Sequence, residues 1–216
     1  MTMKSSISAN YRSPLGNPTA EEHVYETLLK RRSTRAFDSS PVPSRLVHRL
    51  FETARWAPSS FNEQPWRYII TSTDTLVERE RLLACLTESN RSWAKDAPIL
   101  VLATVVKNLA GSGELNRYAL YDLGQSVANL STEATALGLA VHQMGGFSIE
   151  QARTAFQIPD GVEPVVVLAI GTPGDPSELP QNFRSWETSP RNRKPTNETV
   201  FYRTWKGTAA AATEPD

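Results

Sequence analysis

Basic and hydroxyl side chains are concentrated in one short segment, Arg31-Arg32-Ser33-Thr34-Arg35. Guanidinium groups and hydroxyls can hold a phosphate through charge-assisted, partly bidentate hydrogen bonds. The segment follows a helical apolar pattern over residues 22–30, so it could also be a solvated basic helix end that complements the helix dipole. Taken alone, the segment leaves both interpretations open.

A second polar segment spans residues 57–66 and ends at Trp66. Its prolines stiffen the backbone, and it offers two hydroxyls and two carboxamides, a set that suits the polar edge of a heterocycle. The alternative is an ordinary surface loop. The candidate binding residues here are Pro58, Ser59, Ser60, Asn62 and Gln64.

The elements around these segments follow from hydrophobic periodicity. A helix capped by Ser44 is stopped by Pro58, and the run 99–106 is apolar enough for a strand buried on both faces. Further strands are predicted at 67–71, 139–143 and 163–170, and further helices at 75–87, at 116–138 and, after a capping box of Ser148 and Gln151, up to residue 158. We therefore expect a mixed α/β layer structure with a central sheet flanked by helices.

The helix predicted at 116–138 carries an apolar stripe that suits packing against another helix, and that partner could belong to a second subunit. The stripe consists of Leu123, Val127, Leu130, Ala134 and Leu137. After residue 170 the pattern becomes an extended, proline-containing arm. Its aromatic residues should cover a surface, for which the partner subunit is a candidate: Phe183, Trp186, Phe201, Tyr202 and Trp205.

The bulk composition narrows the function classes. Lys and Arg total 23, as do Asp and Glu, so we expect no general affinity for nucleic acid or anionic membranes. There is no run of about 18 apolar residues and no apolar leader, which favours a soluble, cytoplasmic protein. The lone Cys85 and the scattered histidines, His142 among them, are interpreted as structural residues, and no metal site is predicted. We expect a flexible arm at 1–20, one domain at 21–206 and a flexible tail at 207–216.

Several motifs, in order, resemble the nitroreductase family of FMN-dependent oxidoreductases over residues 22–206. They are Arg31–Asp38, Ala57–Arg67, Trp93–Pro98, the helix from Asn116, Met144–Phe147 and Arg191–Pro195. The resemblance implies the α+β nitroreductase fold, with a central mixed sheet flanked by helices and an extended C-terminal arm. It also implies an intertwined homodimer with shared sites, joined through the long helix and exchanged arms. It also implies a hydride that passes from NADH or NADPH through flavin N5 to a nitroaromatic, quinone or other small planar acceptor, in ping-pong order.

By the same resemblance, the FMN phosphate and ribityl chain would be held by the basic segments, through Arg31, Arg32, Ser33, Arg191 and Arg193. Arg35 would lie near the pyrimidine edge of the flavin and stabilise the negative charge of the reduced ring. The 58–64 loop would reach the flavin of the other subunit. Met144, Gly145 and Gly146 would bring backbone N–H groups close to N5, since glycine lacks a Cβ.

Where many members of the family carry Glu before the second glycine, this chain has Gly145, so a carboxylate contribution there is absent. Asn90 is a further candidate for a flavin contact. Three other functions remain open: a different FMN reaction on the same fold, such as a dehydrogenase or specialised biosynthetic reductase; a flavin-binding module without turnover; and an interaction protein with no cofactor.

Overall fold

The computed structural model describes residues 24–201 and 204–206. The expected flexible arm at 1–20, the tail at 207–216 and Tyr202 of the predicted aromatic arm lie outside the described residues. The chain divides into a main unit, Glu26–Ser189, and a second unit made of the terminal segments, and each is described by itself.

In the described residues the chain forms seven α-helices and five strands. The helices are α1 Glu26–Lys30, α2 Ser44–Arg55, α3 Leu76–Cys85, α4 Glu88–Ala94, α5 Ala119–Ala136, α6 Ile149–Ala155 and α7 Gln181–Thr188. The strands are β1 Phe37–Asp38, β2 Trp66–Ser72, β3 Ile99–Val106, β4 Ala140–Met144 and β5 Val162–Pro173.

The strands form one sheet in the order β1-β5-β3-β2, and β4 also pairs with β5. Every pairing between these described strands is antiparallel, so the sheet is antiparallel rather than mixed. The α+β class with flanking helices is confirmed. Among the described helices none is both long and apolar enough to cross a lipid bilayer.

Alternate residues of the central strands supply two separate cores, one on each face of the sheet. Leu100 and Leu102 of β3 enter the first core, which also contains parts of α3, α4, α6 and α7. Val101 and Ala103 enter the second core, which contains α2 and α5. The fully apolar run 99–106 is the consequence of this burial on both faces.

The apolar stripe of α5 packs inside its own chain. Leu123, Val127, Leu130 and Ala134 are buried in the second core, where α5 lies against α2. Packing against another helix was therefore predicted correctly, but the second subunit was the wrong partner for the stripe. The outer face of α5 instead exposes Leu120 and Tyr121.

The arm after residue 170 is less extended than predicted. It contains α7, whose Phe183 is buried in the first core of the same chain, so this aromatic residue covers its own chain rather than a partner subunit. The two predicted helix N-caps have different outcomes. Ser44 begins α2 without a side-chain cap at its N-terminus, whereas the Ser148 side chain does accept the Gln151 amide at the start of α6.

Candidate functional site

The basic segment runs between α1 and β1 without helix or strand structure. Arg31 Nη1 donates to Ser33 Oγ at 3.2 Å, which places a guanidinium beside a hydroxyl. Ser33 is exposed, and Arg31 is half-buried. The Arg31 guanidinium and the Ser33 hydroxyl are adjacent hydrogen-bond donors, and such donors suit a phosphate group.

Arg32 is used differently. Its Nη2 donates to the backbone carbonyls of Trp186 at 3.2 Å and Ser189 at 2.7 Å, at the C-terminal end of α7. A guanidinium at this position satisfies carbonyls that the helix leaves unpaired. The geometry therefore supports a structural role for Arg32.

Arg35 lies among aromatic rings. Its guanidinium carbon is 5.9 Å from the ring centroid of Trp93, 5.6 Å from that of Phe183 and 5.4 Å from that of Trp186. Partial burial lowers the pKa of Arg35 from its usual value, and the charge of Glu187 opposes this shift. The cation is thus held in place by cation–π contacts as well as by charge.

Strand β4 joins the basic segment to the glycine turn. His142, in β4, lies with Nδ1 2.9 Å from the carbonyl oxygen of Thr34, and its ring centroid is 4.5 Å from that of Trp93. Burial is the largest cause of the lowered pKa of His142, so the neutral ring with a proton on Nδ1 fits this contact. Three residues beyond His142, about 10 Å along an extended chain, the strand has reached Gly145.

The two glycines of this turn have different surroundings. A Cβ added at Gly146 would lie 2.7 Å from Asn90 Nδ2 and 3.1 Å from Thr87 Oγ1, whereas one added at Gly145 would meet no described atom within 4 Å. Asn90 Nδ2 also donates to the Gly146 carbonyl at 3.0 Å. Gly146 is therefore packed against its own chain, and Gly145 is the position that leaves room for a ligand. The Met144 side chain is buried in the first core, so a contact at this residue would involve its backbone.

The loop at residues 58–64 has an unusual backbone. Phe61, Asn62 and Gln64 have φ values of 53°, 56° and 47°, in the left-handed region that non-glycine residues seldom occupy. The Ser60 amide donates to buried Asp122 Oδ2 at 3.1 Å, and the Gln64 amide donates to Ser59 Oγ at 3.0 Å. Such strain persists where the surroundings enforce it, which is common at functional sites.

The structure separates the predicted site residues into two groups. The basic segment, α4, and the turn after β4 border the first core, through Ala36, Trp93 and Met144. The 58–64 loop is flanked by Ala57 and Trp66, which belong to the second core on the other face of the sheet. One chain therefore does not bring these two groups together on the same face.

Arg191 and Arg193 belong to the second unit, where both are exposed and Arg193 Nη1 donates to the carbonyl of Asn192 at 2.8 Å. Cys85 is buried in the first core, as its apolar helical surroundings predict, and burial raises the pKa of its thiol.

Sequence reasoning missed two buried carboxylates, Asp122 and Glu187. Asp122 had a signal, because it lies beside Leu123 and four residues before Ser126 on the buried face of α5. Glu187 had none, since its helix lies in the stretch interpreted as an extended arm.

Three comparisons place this geometry among known proteins. The nitroreductase family model matches residues 28–172. An uncharacterized 15.4 kDa protein from Mycolicibacterium smegmatis is 34% identical over 138 residues, which cover 62% of this chain and 90% of that protein. A protein from Methanothermobacter thermautotrophicus, provisionally named NADH dehydrogenase/NAD(P)H nitroreductase, is 26% identical over 156 residues, covering 70% of this chain and 78% of that one.

Among solved structures, one described as an oxidoreductase containing FMN has a TM-score of 0.82 and 30% identity. It covers 91% of this chain and 100% of its own.

Proposed function

Because this chain belongs to the nitroreductase family, we propose that it is an FMN-dependent oxidoreductase that uses NADH or NADPH to reduce a nitroaromatic, quinone or similar electron-poor acceptor. The solved relative containing FMN supports the cofactor, and the name of the Methanothermobacter relative supports the nicotinamide donor. Bound FMN would supply the redox chemistry, by accepting hydride at N5 and passing it on.

The hydrogen bond between His142 and the Thr34 carbonyl is the observation that carries this proposal. It fixes the segment of Arg31 and Ser33 beside the middle of β4, three residues before the open turn at Gly145. A basic segment and an open backbone turn, set apart along β4, suit an elongated ligand with a phosphate at one end and a flat ring at the other. The residues present therefore fit FMN.

Within this site the chain would bind and orient rather than react. Arg31 and Ser33, with Arg191 and Arg193, would hold the phosphate and ribityl chain. Arg35 would face the pyrimidine edge, where its charge favours the reduced ring. Gly145 would let the backbone approach the ring, and Asn90 would hold the turn through Gly146.

We also propose that the protein is a homodimer in which the 58–64 loop completes the site of the partner. The separation of the two groups of site residues by the sheet supports this arrangement. A candidate contact surface lies beside the loop, where Phe61 is 85% exposed and Tyr121 is 69% exposed. Clustered exposed aromatic side chains of this kind often mark an interface.

The class of protein is tested by an absorbance spectrum of the purified protein with added FMN, followed by NADH or NADPH without oxygen. We expect a bound flavin band that bleaches with one of the two donors. A protein that stays colourless after FMN addition and desalting would refute the proposal. A flavin band that neither donor bleaches would indicate a binding module without turnover.

The phosphate assignment is tested by Arg31→Ala and Arg193→Ala. Each change removes a charge-assisted hydrogen bond worth about 1.5–3 kcal/mol, so FMN affinity should fall roughly tenfold to a hundredfold. Exposed Arg45→Ala removes the same charge elsewhere and is the matched control. Unchanged FMN affinity in both variants would remove the assignment.

The order of the reaction is tested by steady-state kinetics. Donor and acceptor would both need the open face of one ring, so double-reciprocal plots at several acceptor concentrations should be parallel. Intersecting lines would show that both substrates bind together.

The shared site is tested by Tyr121→Glu, which places a charge on the exposed face of α5. We expect a folded monomer with weaker FMN binding, because a ligand that contacts two chains is linked to their assembly. A folded monomer that binds FMN with wild-type affinity would contradict the shared site.

A further inference from the structure

Glu187 is a buried carboxylate that contacts the basic segment. Its side chain lies on α7 in a residue only 6% exposed. Thr34 Oγ1 donates to Glu187 Oε1, and the backbone amide of Arg35 donates to both carboxylate oxygens at 3.0 Å. A buried carboxylate is tolerated when such hydrogen bonds and a nearby cation compensate its lost hydration.

Arg35 is that cation, and α7 contacts it in two ways. The carboxylate of Glu187 binds the Arg35 backbone, while Phe183 and Trp186 of the same helix lie 5.6 and 5.4 Å from its guanidinium carbon. Arg32 joins the C-terminal end of α7 to the same segment through two carbonyls. The helix therefore fixes both the backbone and the side chain of Arg35.

Helix α7, which carries Glu187, lies outside the part of the chain that matches the family model, because that part ends at residue 172. Hydrogen bonding alone would account for a polar residue at position 187, and an uncharged amide could also accept from Thr34 and Arg35. A full negative charge does something more. It opposes the positive potential that Arg35 presents to its surroundings.

We propose that Glu187 is a positioning residue that holds Ser33–Arg35 in the geometry that binds FMN, and that its charge lowers the reduction potential of the bound flavin by offsetting Arg35. This inference rests on the proposed function. Hydrogen bonding through Thr34 and the Arg35 amide fixes the segment. The charge acts through Arg35, because the reduced flavin is more negative than the oxidised form and is disfavoured by a carboxylate nearby.

Two variants separate the two effects. Glu187→Gln keeps the acceptor and removes the charge, so FMN affinity should stay within about threefold of wild type. Reduced FMN should gain at least tenfold in affinity relative to oxidised FMN, which raises the midpoint potential by about 30 mV for a two-electron couple. Thr34→Val keeps the charge and removes one hydrogen bond, so it should weaken FMN binding and leave the potential near that of wild type.

The readouts are FMN titration by fluorescence, the midpoint potential measured with reference dyes, and urea unfolding. If Glu187→Gln does not fold, the double variant Thr34→Val/Glu187→Met replaces both side chains by apolar ones, and it should show the same upward change in potential. This inference alone would be overturned if the wild-type protein binds and reduces FMN but the folded variant without the Glu187 charge has an unchanged midpoint potential. A wild-type protein without FMN binding would overturn the proposed function and this inference with it.

Discussion

The two adjacent glycines after β4 give a matched pair of substitutions. Gly146→Ala would place a Cβ 2.7 Å from Asn90 Nδ2, so the Asn90 side chain must move and its 3.0 Å hydrogen bond to the Gly146 carbonyl is lost. The hydrogen bond contributes about 0.5–1.5 kcal/mol, and overpacking typically costs about 1–3 kcal/mol. Replacing glycine by alanine raises the free energy of unfolding by about 0.4–1 kcal/mol, because alanine restricts the unfolded chain. The free energy of unfolding should therefore fall by about 0.5–4 kcal/mol.

Gly145→Ala should act in the opposite direction in the protein without cofactor. Its Cβ meets no described atom within 4 Å, so the restriction of the unfolded chain remains and raises the free energy of unfolding by about 0.4–1 kcal/mol. If the flavin lies over Gly145, the same methyl group occupies part of its space, and FMN affinity should fall by about tenfold, or about 1.4 kcal/mol.

Urea unfolding followed by circular dichroism measures the first quantity, and FMN titration measures the second. The expected pattern is a crossover, in which one alanine destabilises the fold and the other weakens the ligand. Equal destabilisation by both variants would refute the distinction drawn between the glycines. An unchanged FMN affinity in Gly145→Ala would refute the place of this turn in the flavin site.

Three further predictions follow from the same geometry. In the folded monomer expected from Tyr121→Glu, Phe61→Gly should raise the free energy of unfolding by about 1 kcal/mol in urea titrations, because a left-handed backbone is strained for phenylalanine and the side chain buries little surface within its own chain. No gain would mean that the loop is not strained. Leu130→Glu should destabilise the chain by more than about 4 kcal/mol, because the residue is 0% exposed and its charge would be unpaired, whereas Tyr121→Glu should keep the native circular-dichroism spectrum. His142 has a pKa below its usual 6.5, so the unfolded chain binds more protons, and the free energy of unfolding should fall as the pH drops from about 7 through about 6. Urea unfolding at both pH values should show this fall in wild type and in the control His48→Gln, which changes an exposed histidine. The fall should be smaller in His142→Gln.

The sequence predicted those elements whose signal is local or unambiguous. The predicted strand at 99–106 has the same bounds as β3, because a run that is apolar at every position requires burial on both faces. The cap at Ser148 was correct because its partner is three residues away. The stripe on α5 showed that one face would be buried, but periodicity carries no information about which chain supplies the partner.

Long-range contacts account for what could not be predicted. Nothing in the sequence near Glu187 indicates that it contacts Thr34, more than 150 residues earlier in the chain. The link between His142 and Thr34 is of the same kind, and the histidine had correctly been interpreted as structural from its isolation. The different surroundings of Gly145 and Gly146 depend on where α4 places Asn90. Two adjacent glycines look the same in a sequence, so this difference could not be predicted.

In the proposed dimer, the placement of the basic segment and the 58–64 loop on opposite faces of the sheet has a genetic consequence. In a symmetric dimer with shared sites, each site takes one group of residues from each chain. A variant defective in Arg31 and a variant defective in the loop would both be inactive alone. Coexpressed, they should form mixed dimers in which one site carries both defects and the other carries neither. Activity should then reappear from two inactive proteins, which is the behaviour known as intragenic complementation.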